Sequence, residues 1–148
     1  MTAIPRRNTP MTPALTLLAL LPMPSPPADD TFTPKGHTAA EPAQIAAWVN
    51  AGTATLVDVR ETDEWEDGHL QVATLVPLSE LGKNARDEAW VADLKRRVPT
   101  DRPIYTHCKS GGRCVLAAEP LRELGYDVRP MQEGYQDLLA AGFERDDD

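Results

Sequence analysis

Two cysteines are all that this 148-residue chain carries, Cys108 and Cys114. That is too few for a disulfide scaffold or for a zinc site built on four thiolates. Cations are scarce too: 15 Lys and Arg stand against 23 Asp and Glu, a net charge of −8. Sequence-independent binding of nucleic acid needs clustered cations against phosphate, so no nucleic-acid partner is expected. Long hydrophobic runs are missing. The apolar run Ala14 to Leu21 (ALTLLALL) falls far short of the roughly 20 residues that cross a bilayer, so no integral membrane span is expected. There is no internal repeat. What is present suits one globular domain: 41% hydrophobic and 26% charged residues exclude both a disordered acidic chain and a polytopic membrane protein.

The N-terminal stretch differs in composition from the rest. Eight of the fourteen prolines lie at or before Pro34, and no acid precedes Asp29. Arg6 and Arg7 come first, then the apolar run, then Pro, Ser and Ala. This order reads as a secretory signal with Ala28 as the best small-residue exit, so residues 1–28 are expected to be a leader and the protein to be exported, periplasmic or secreted. The alternative is a disordered Pro-rich leader, with translation starting at Met11 and the protein in the cytoplasm. Residues 29–38 are expected to form a linker, mobile over Asp29 to Pro34, residues 39–143 the folded domain, and residues 144–148 a solvated acidic tail.

Within the domain, strand-like and helix-like pieces alternate. Ala43 to Ala51 reads as a helix with Ile45, Trp48 and Val49 on one face and Gly52 as its stop. Thr55 to Val59 is a short β-branched run of buried-strand character. Thr62 to Asp67 is a helical turn closed by Gly68. Thr74 to Leu78 is a strand, Arg86 to Arg97 a helix with Trp90, Val91 and Leu94 on one side, and Pro103 to His107 a strand. Arg113 to Leu124 is a helix, with a kink or restart expected at Pro120. Asp127 to Met131 is the last strand and Gly134 to Ala141 the last helix. Short links between such pieces imply βαβ units. The fold class is therefore α/β, with a mainly parallel central sheet flanked by helices on both faces.

The segment Tyr105-Thr106-His107-Cys108-Lys109-Ser110-Gly111-Gly112-Arg113-Cys114 carries the chemistry. A thiol stands at the carboxyl end of a strand, where open parallel sheets bind ligands. The residues after it are small, and a helix starts at once. A loop that curls there can aim successive N–H groups at one point, and Gly111 and Gly112 relax the steric limits on that curl. The helix start adds its positive end, and Lys109 and Arg113 add formal charge. All of these favour a thiolate at Cys108, which makes it a nucleophile. The plainer reading is a buried structural cysteine on a tight turn.

Taken together, these features resemble the rhodanese (sulfurtransferase) domain. Leu56-Val57-Asp58-Val59-Arg60, Glu64-Trp65, Gly68-His69-Leu70, Pro77 and Leu81 look like its N-terminal motif. HCKSGGR matches its active-site loop. Leu124 to Val128 and Gly134-Tyr135 look like its C-terminal motif. The resemblance covers about Ala39 to Phe143. Gln71-Val72-Ala73, Leu138 and Cys114 depart from the usual pattern, where Pro-Gly-Ala, an aromatic residue and Ser are common.

The resemblance implies that Cys108 carries sulfur. Its thiolate would attack the outer sulfur of a donor such as thiosulfate, sulfite would leave, and the persulfide would pass its terminal sulfur to a thiol or to cyanide. The N–H groups of Lys109, Ser110, Gly111, Gly112 and Arg113 would hold the persulfide, with Lys109 at the rim for an anionic donor. No metal or organic cofactor is required. A persulfide carrier or sulfur-sensing partner module would use the same loop. Cys-based phosphatases and arsenate reductases resemble it less, because they place one more residue between cysteine and arginine than the four found here.

Other residues have structural readings beside functional ones. Arg113 either binds substrate or pairs with a carboxylate. Asp58 and Arg60 close a strand at the active edge and are possible rim residues. Arg60 either lines the donor's path or pairs with Glu64 four residues on. His69 reads as a hydrogen-bonded structural residue, and alternation along the strand aims His107 away from the sulfur. Trp48, Trp65 and Trp90 read as core. Cys114 either packs in the first helical turn or resolves the persulfide as a disulfide. The oligomeric state is not written in the sequence.

Overall fold

The computed structural model describes residues 21–147 and, apart from them, Ala3. All of the apolar run of the leader except Leu21 lies outside the described residues. In chain order the elements are α1 (Pro42–Asn50), β1 (Thr55–Asp58), α2 (Thr62–Glu66), β2 (His69–Leu70), β3 (Ala73–Leu75), α3 (Leu78–Asn84), α4 (Glu88–Arg97), β4 (Ile104–His107), α5 (Gly112–Glu123), β5 (Val128–Pro130), α6 (Tyr135–Ala140) and β6 (Arg145–Asp146).

Four strands form one parallel sheet in the order β3-β1-β4-β5. Side chains on a strand alternate between faces, and the core divides accordingly. Val57 and Ile104 point to one face, where Leu81 of α3, Leu94 of α4 and Ala117, Ala118 and Leu121 of α5 cover them. Leu56 and Tyr105 point to the other, under Ile45 of α1 and Leu138 of α6. Helices thus cover both faces, as the α/β reading requires. The chain leaves β1 for β3 on one side and returns to β4 on the other. The carboxyl ends of β1 and β4 therefore flank the switch point, where a crevice forms.

Several elements differ from the sequence reading. The strand expected over 74–78 ends at Leu75, and Leu78 instead opens α3 after Pro77. Pro77 presets the backbone at the helix entry, and Leu81 anchors the short helix in the core. The helix expected from Arg86 starts at Glu88, because the Asp87 side chain accepts from the Trp90 N–H at 2.9 Å and caps it there. α5 neither breaks nor restarts at Pro120. Leu116, whose carbonyl the ring crowds, is exposed, so water can serve that carbonyl.

The ends of the domain are also more engaged than composition suggests. Arg145–Asp146 is not a solvated fray: it pairs antiparallel with His69–Leu70, and Gln71 N–H donates to Glu144 O at 2.9 Å. The segment expected to be a mobile linker is tied down. Phe32 bridges Thr38, Thr38 N–H donates to Pro130 O at 2.6 Å, and Arg129 donates to the carbonyls of Pro27 and Ala28. The strap satisfies the Pro130 carbonyl at the edge of β5. Among the described residues, no helix is long and apolar enough to cross a membrane.

Candidate active site

Cys108 follows β4 directly and is 1% exposed. Gly111 bends the loop back with φ +90°, and its N–H donates to Cys108 Sγ at 3.1 Å. A side chain at position 111 would be strained by that backbone, and its Cβ would stand 2.8 Å from Gln132 O. α5 begins at Gly112, so its positive end faces the same point.

Cys114, in the first turn of α5, is fully buried. Its thiol donates to two backbone carbonyls, Gly111 O at 2.9 Å and Met131 O at 3.1 Å. One S–H proton serves both carbonyls. The neighbouring Cys114 thiol is the largest influence lowering the Cys108 pKa. Burial opposes it, and the N–H groups of Cys114, Ser110 and Gly111 add to it, leaving Cys108 at about 4. The Cys114 thiol moves the opposite way, first because it donates to Cys108 and then because it is buried. Cys114 is therefore a protonated donor beside a thiolate.

Arg113 points to Glu64 of α2 in a two-pronged ion pair at 2.6 and 2.8 Å. The pair lowers the Glu64 carboxyl to about 2 and raises the Arg113 guanidinium. Since the folded-state pKa of Glu64 is depressed, its contribution to stability is present above the usual carboxylate range and lost as pH falls toward 2. Glu64→Gln is expected to cost about 1 kcal/mol at neutral pH, discounted for partial exposure, and nothing further at the lowest pH. Urea unfolding at both pH values checks this.

Asp58 and Arg60 do not form a rim together. Asp58 is fully buried at the end of β1, and Arg60 is 4% exposed. The guanidinium holds both oxygens of Asp58 at 2.8–3.1 Å, donates to Gly68 O at 3.0 Å, and lies 4.1 Å over the Tyr135 ring. Arg60 meets only the backbone carbonyl of Glu64, at 3.4 Å, because the Glu64 carboxylate is taken by Arg113. Arg60 does line a cleft of about 230 Å³ beside the loop, with Glu64, Lys109, Tyr135 and Arg145. Lys109 and Ser110 are exposed at its lip.

The three histidines are all structural neighbours of this site. His69 stacks on Trp65 at 3.6 Å and bonds Trp65 O at 3.1 Å. His107 is fully buried with Nε2 3.7 Å from Asp58, and burial pushes its pKa down, so it is neutral. His37, from the segment expected to be a linker, places Nε2 2.8 Å from Gly111 O. The sequence reading missed His37, and no spacing signal could have joined residues 74 apart. It placed Gly134 in the C-terminal motif but gave it no role at the loop, where a Cβ would sit 1.8 Å from Lys109 O. Just after it, Tyr135 N–H donates to Cys108 O at 2.8 Å. Gly134→Ala is expected to displace the loop, costing about 2 kcal/mol or more, and to slow Cys108 alkylation. A thermal melt and iodoacetamide kinetics check both effects.

The fold and site define a mainly parallel α/β domain with a buried cysteine in a strand-to-helix loop at the sheet's switch point. Residues 41–141 match the family model described as the rhodanese-like domain, and the chain belongs to that family. It is similar to an HTH-type transcriptional regulator of Mycobacterium tuberculosis, 32% identical over 108 residues, covering 71% of this chain and 43% of that protein. It is also similar to the probable adenylyltransferase/sulfurtransferase MoeZ of the same species, 27% identical, covering 72% of this chain and 26% of that one. Among solved structures, the human single-domain sulfurtransferase TSTD1 matches with a TM-score of 0.53 and 26% identity, covering 66% of this chain and 91% of that one. The chain spans less than half the length of the two curated relatives.

Proposed function

We propose that this protein is a sulfurtransferase that moves a sulfane sulfur from a donor such as thiosulfate to a thiol or cyanide through a persulfide on Cys108. The observation that carries this reading is a buried Cys108 whose sulfur accepts the Gly111 N–H at 3.1 Å, closed in by a loop with only four residues between Cys108 and Arg113. Family membership and the likeness to a single-domain sulfurtransferase support it.

In the first step the Cys108 thiolate attacks the outer sulfur of thiosulfate. The S–S bond of the donor breaks, its electron pair leaves with sulfite, and a new S–S bond forms on the enzyme. In the second step an acceptor thiolate or cyanide attacks the terminal sulfur, and Cys108 leaves as thiolate. The loop N–H groups and the Cys114 thiol stabilise the anion in both states. Lys109 at the lip holds the donor's oxyanion. A four-residue loop leaves a cradle that suits one added sulfur better than a phosphoryl group.

Intact mass spectrometry after exposure to thiosulfate, followed by a thiocyanate assay with cyanide, tests this. The gain of one sulfur and turnover to thiocyanate are expected. A gain of sulfur from some donor without turnover would make the protein a persulfide carrier. No gain from any donor would end both readings. Export through residues 1–28 belongs to the same proposal, and sequencing the mature N-terminus tests it.

A further inference from the structure

Gly111 supplies both an N–H to the Cys108 sulfur and a carbonyl that points the other way, into the protein. That carbonyl has two side-chain donors in reach, His37 Nε2 at 2.8 Å and the Cys114 thiol at 2.9 Å. A carbonyl only accepts, so Nε2 must carry the imidazole proton. The single Cys114 proton is also in reach of Met131 O at 3.1 Å, so His37 is the side-chain donor aimed at Gly111 O alone. The imidazole is fixed in place by its surroundings. It is 7% exposed, Thr33 N–H donates to His37 O at 2.7 Å, and Thr38 N–H donates to Pro130 O. Its Nδ1 is buried without a partner among the described residues, as suits the Nε2–H tautomer.

We infer that His37, which lies outside the segment matched to the family, is a positioning residue for the active-site loop: by holding Gly111 O it keeps Gly111 in its left-handed conformation, with the N–H on the nucleophilic sulfur. Peptide planarity then turns the Gly112 N–H away from His37. The loop is too glycine-rich to hold such a shape by local sterics alone, so a clamp from a remote segment supplies the constraint. The inference rests on Cys108 being the nucleophile of the proposed function.

The test is the pH dependence of Cys108 alkylation by iodoacetamide in the full chain, with the thermal melt as a control for folding. His37→Ala is expected to raise the midpoint by about one pH unit. His37→Gln is expected to restore most of that shift, because its side-chain amide nitrogen reaches the place of Nε2. Unchanged midpoints in both variants overturn the inference, and so do equal shifts in both, since packing alone would then explain them. In the unmodified protein, nitrogen NMR of the His37 ring is expected to show the Nε2–H tautomer. The Nδ1–H tautomer overturns the inference even if His37→Ala does not fold. A wild-type thiol that titrates like free cysteine would instead remove the proposed function, and the tautomer measurement would then judge the His37 contact by itself.

Discussion

Cys108→Ser is expected to abolish thiocyanate formation, a loss on the order of 1,000-fold or more, and to leave no added sulfur on the protein after exposure to thiosulfate. The physical reason lies in the acid strength of the group. The loop and Cys114 bring the thiol from its ordinary range to about 4. A serine hydroxyl starts so far above neutrality that the same surroundings leave it protonated, and oxygen cannot hold a persulfide. The wild-type loading rate should stay nearly flat from pH 8 down to about 5 and fall only as pH nears 4, whereas an unperturbed thiol loses about tenfold per unit below roughly 8.5. Stability follows the same titration. The folded-state pKa is depressed, so the stabilisation is full above the ordinary thiol range and is lost as pH falls through about 4. The stability difference between wild type and Cys108→Ser should therefore shrink steadily on acidification. Rapid-quench loading and urea unfolding across pH measure the two effects. Residual thiocyanate from the serine variant at more than a few per cent would defeat the argument.

Asp58→Ala is expected to destabilise the domain by about 3–5 kcal/mol, the largest effect on stability among these substitutions. Asp58 and Arg60 are both buried and bound face to face. Removing the carboxylate leaves a guanidinium inside the protein with only the carbonyls of Gly68 and Glu64 and the Tyr135 ring for compensation. The double variant Asp58→Ala/Arg60→Leu should recover a good part of the loss, because the uncompensated charge is then gone. The effect should also reach the loop. Arg60 packs on Tyr135, and the Tyr135 N–H holds Cys108 O. Equilibrium unfolding in urea of the two single variants and the double variant reads the coupling. A single-variant loss below about 1 kcal/mol would show that water reaches Arg60.

The loop around Cys108 was legible because its signals are contiguous. A strand, a thiol, small residues, two glycines and a helix start lie within Tyr105 to Cys114, and each acts on its neighbours through the backbone. The sheet was legible for a similar reason. Thr55 to Val59 and Pro103 to His107 are short apolar runs of buried-strand character, and the pieces between them have helical spacing. Arg113 was left between two roles because the choice depended on a carboxylate whose position no local pattern gives.

Sequence by itself thus determined the α/β class and singled out the strand-to-helix loop at Cys108, both of which are carried by short-range periodicity and by adjacent groups. Tertiary structure alone decided which side chains meet across the switch point: Glu64 with Arg113, Asp58 with Arg60, His37 with Gly111 and the Gly134 backbone with Lys109. It also drew Arg145–Asp146 and the segment from Phe32 to Thr38 onto the domain, against a composition that suggests free ends. Such pairings are set by crossover packing and strand register. Their energy comes from groups distant in the chain, and only the folded chain brings those groups within reach.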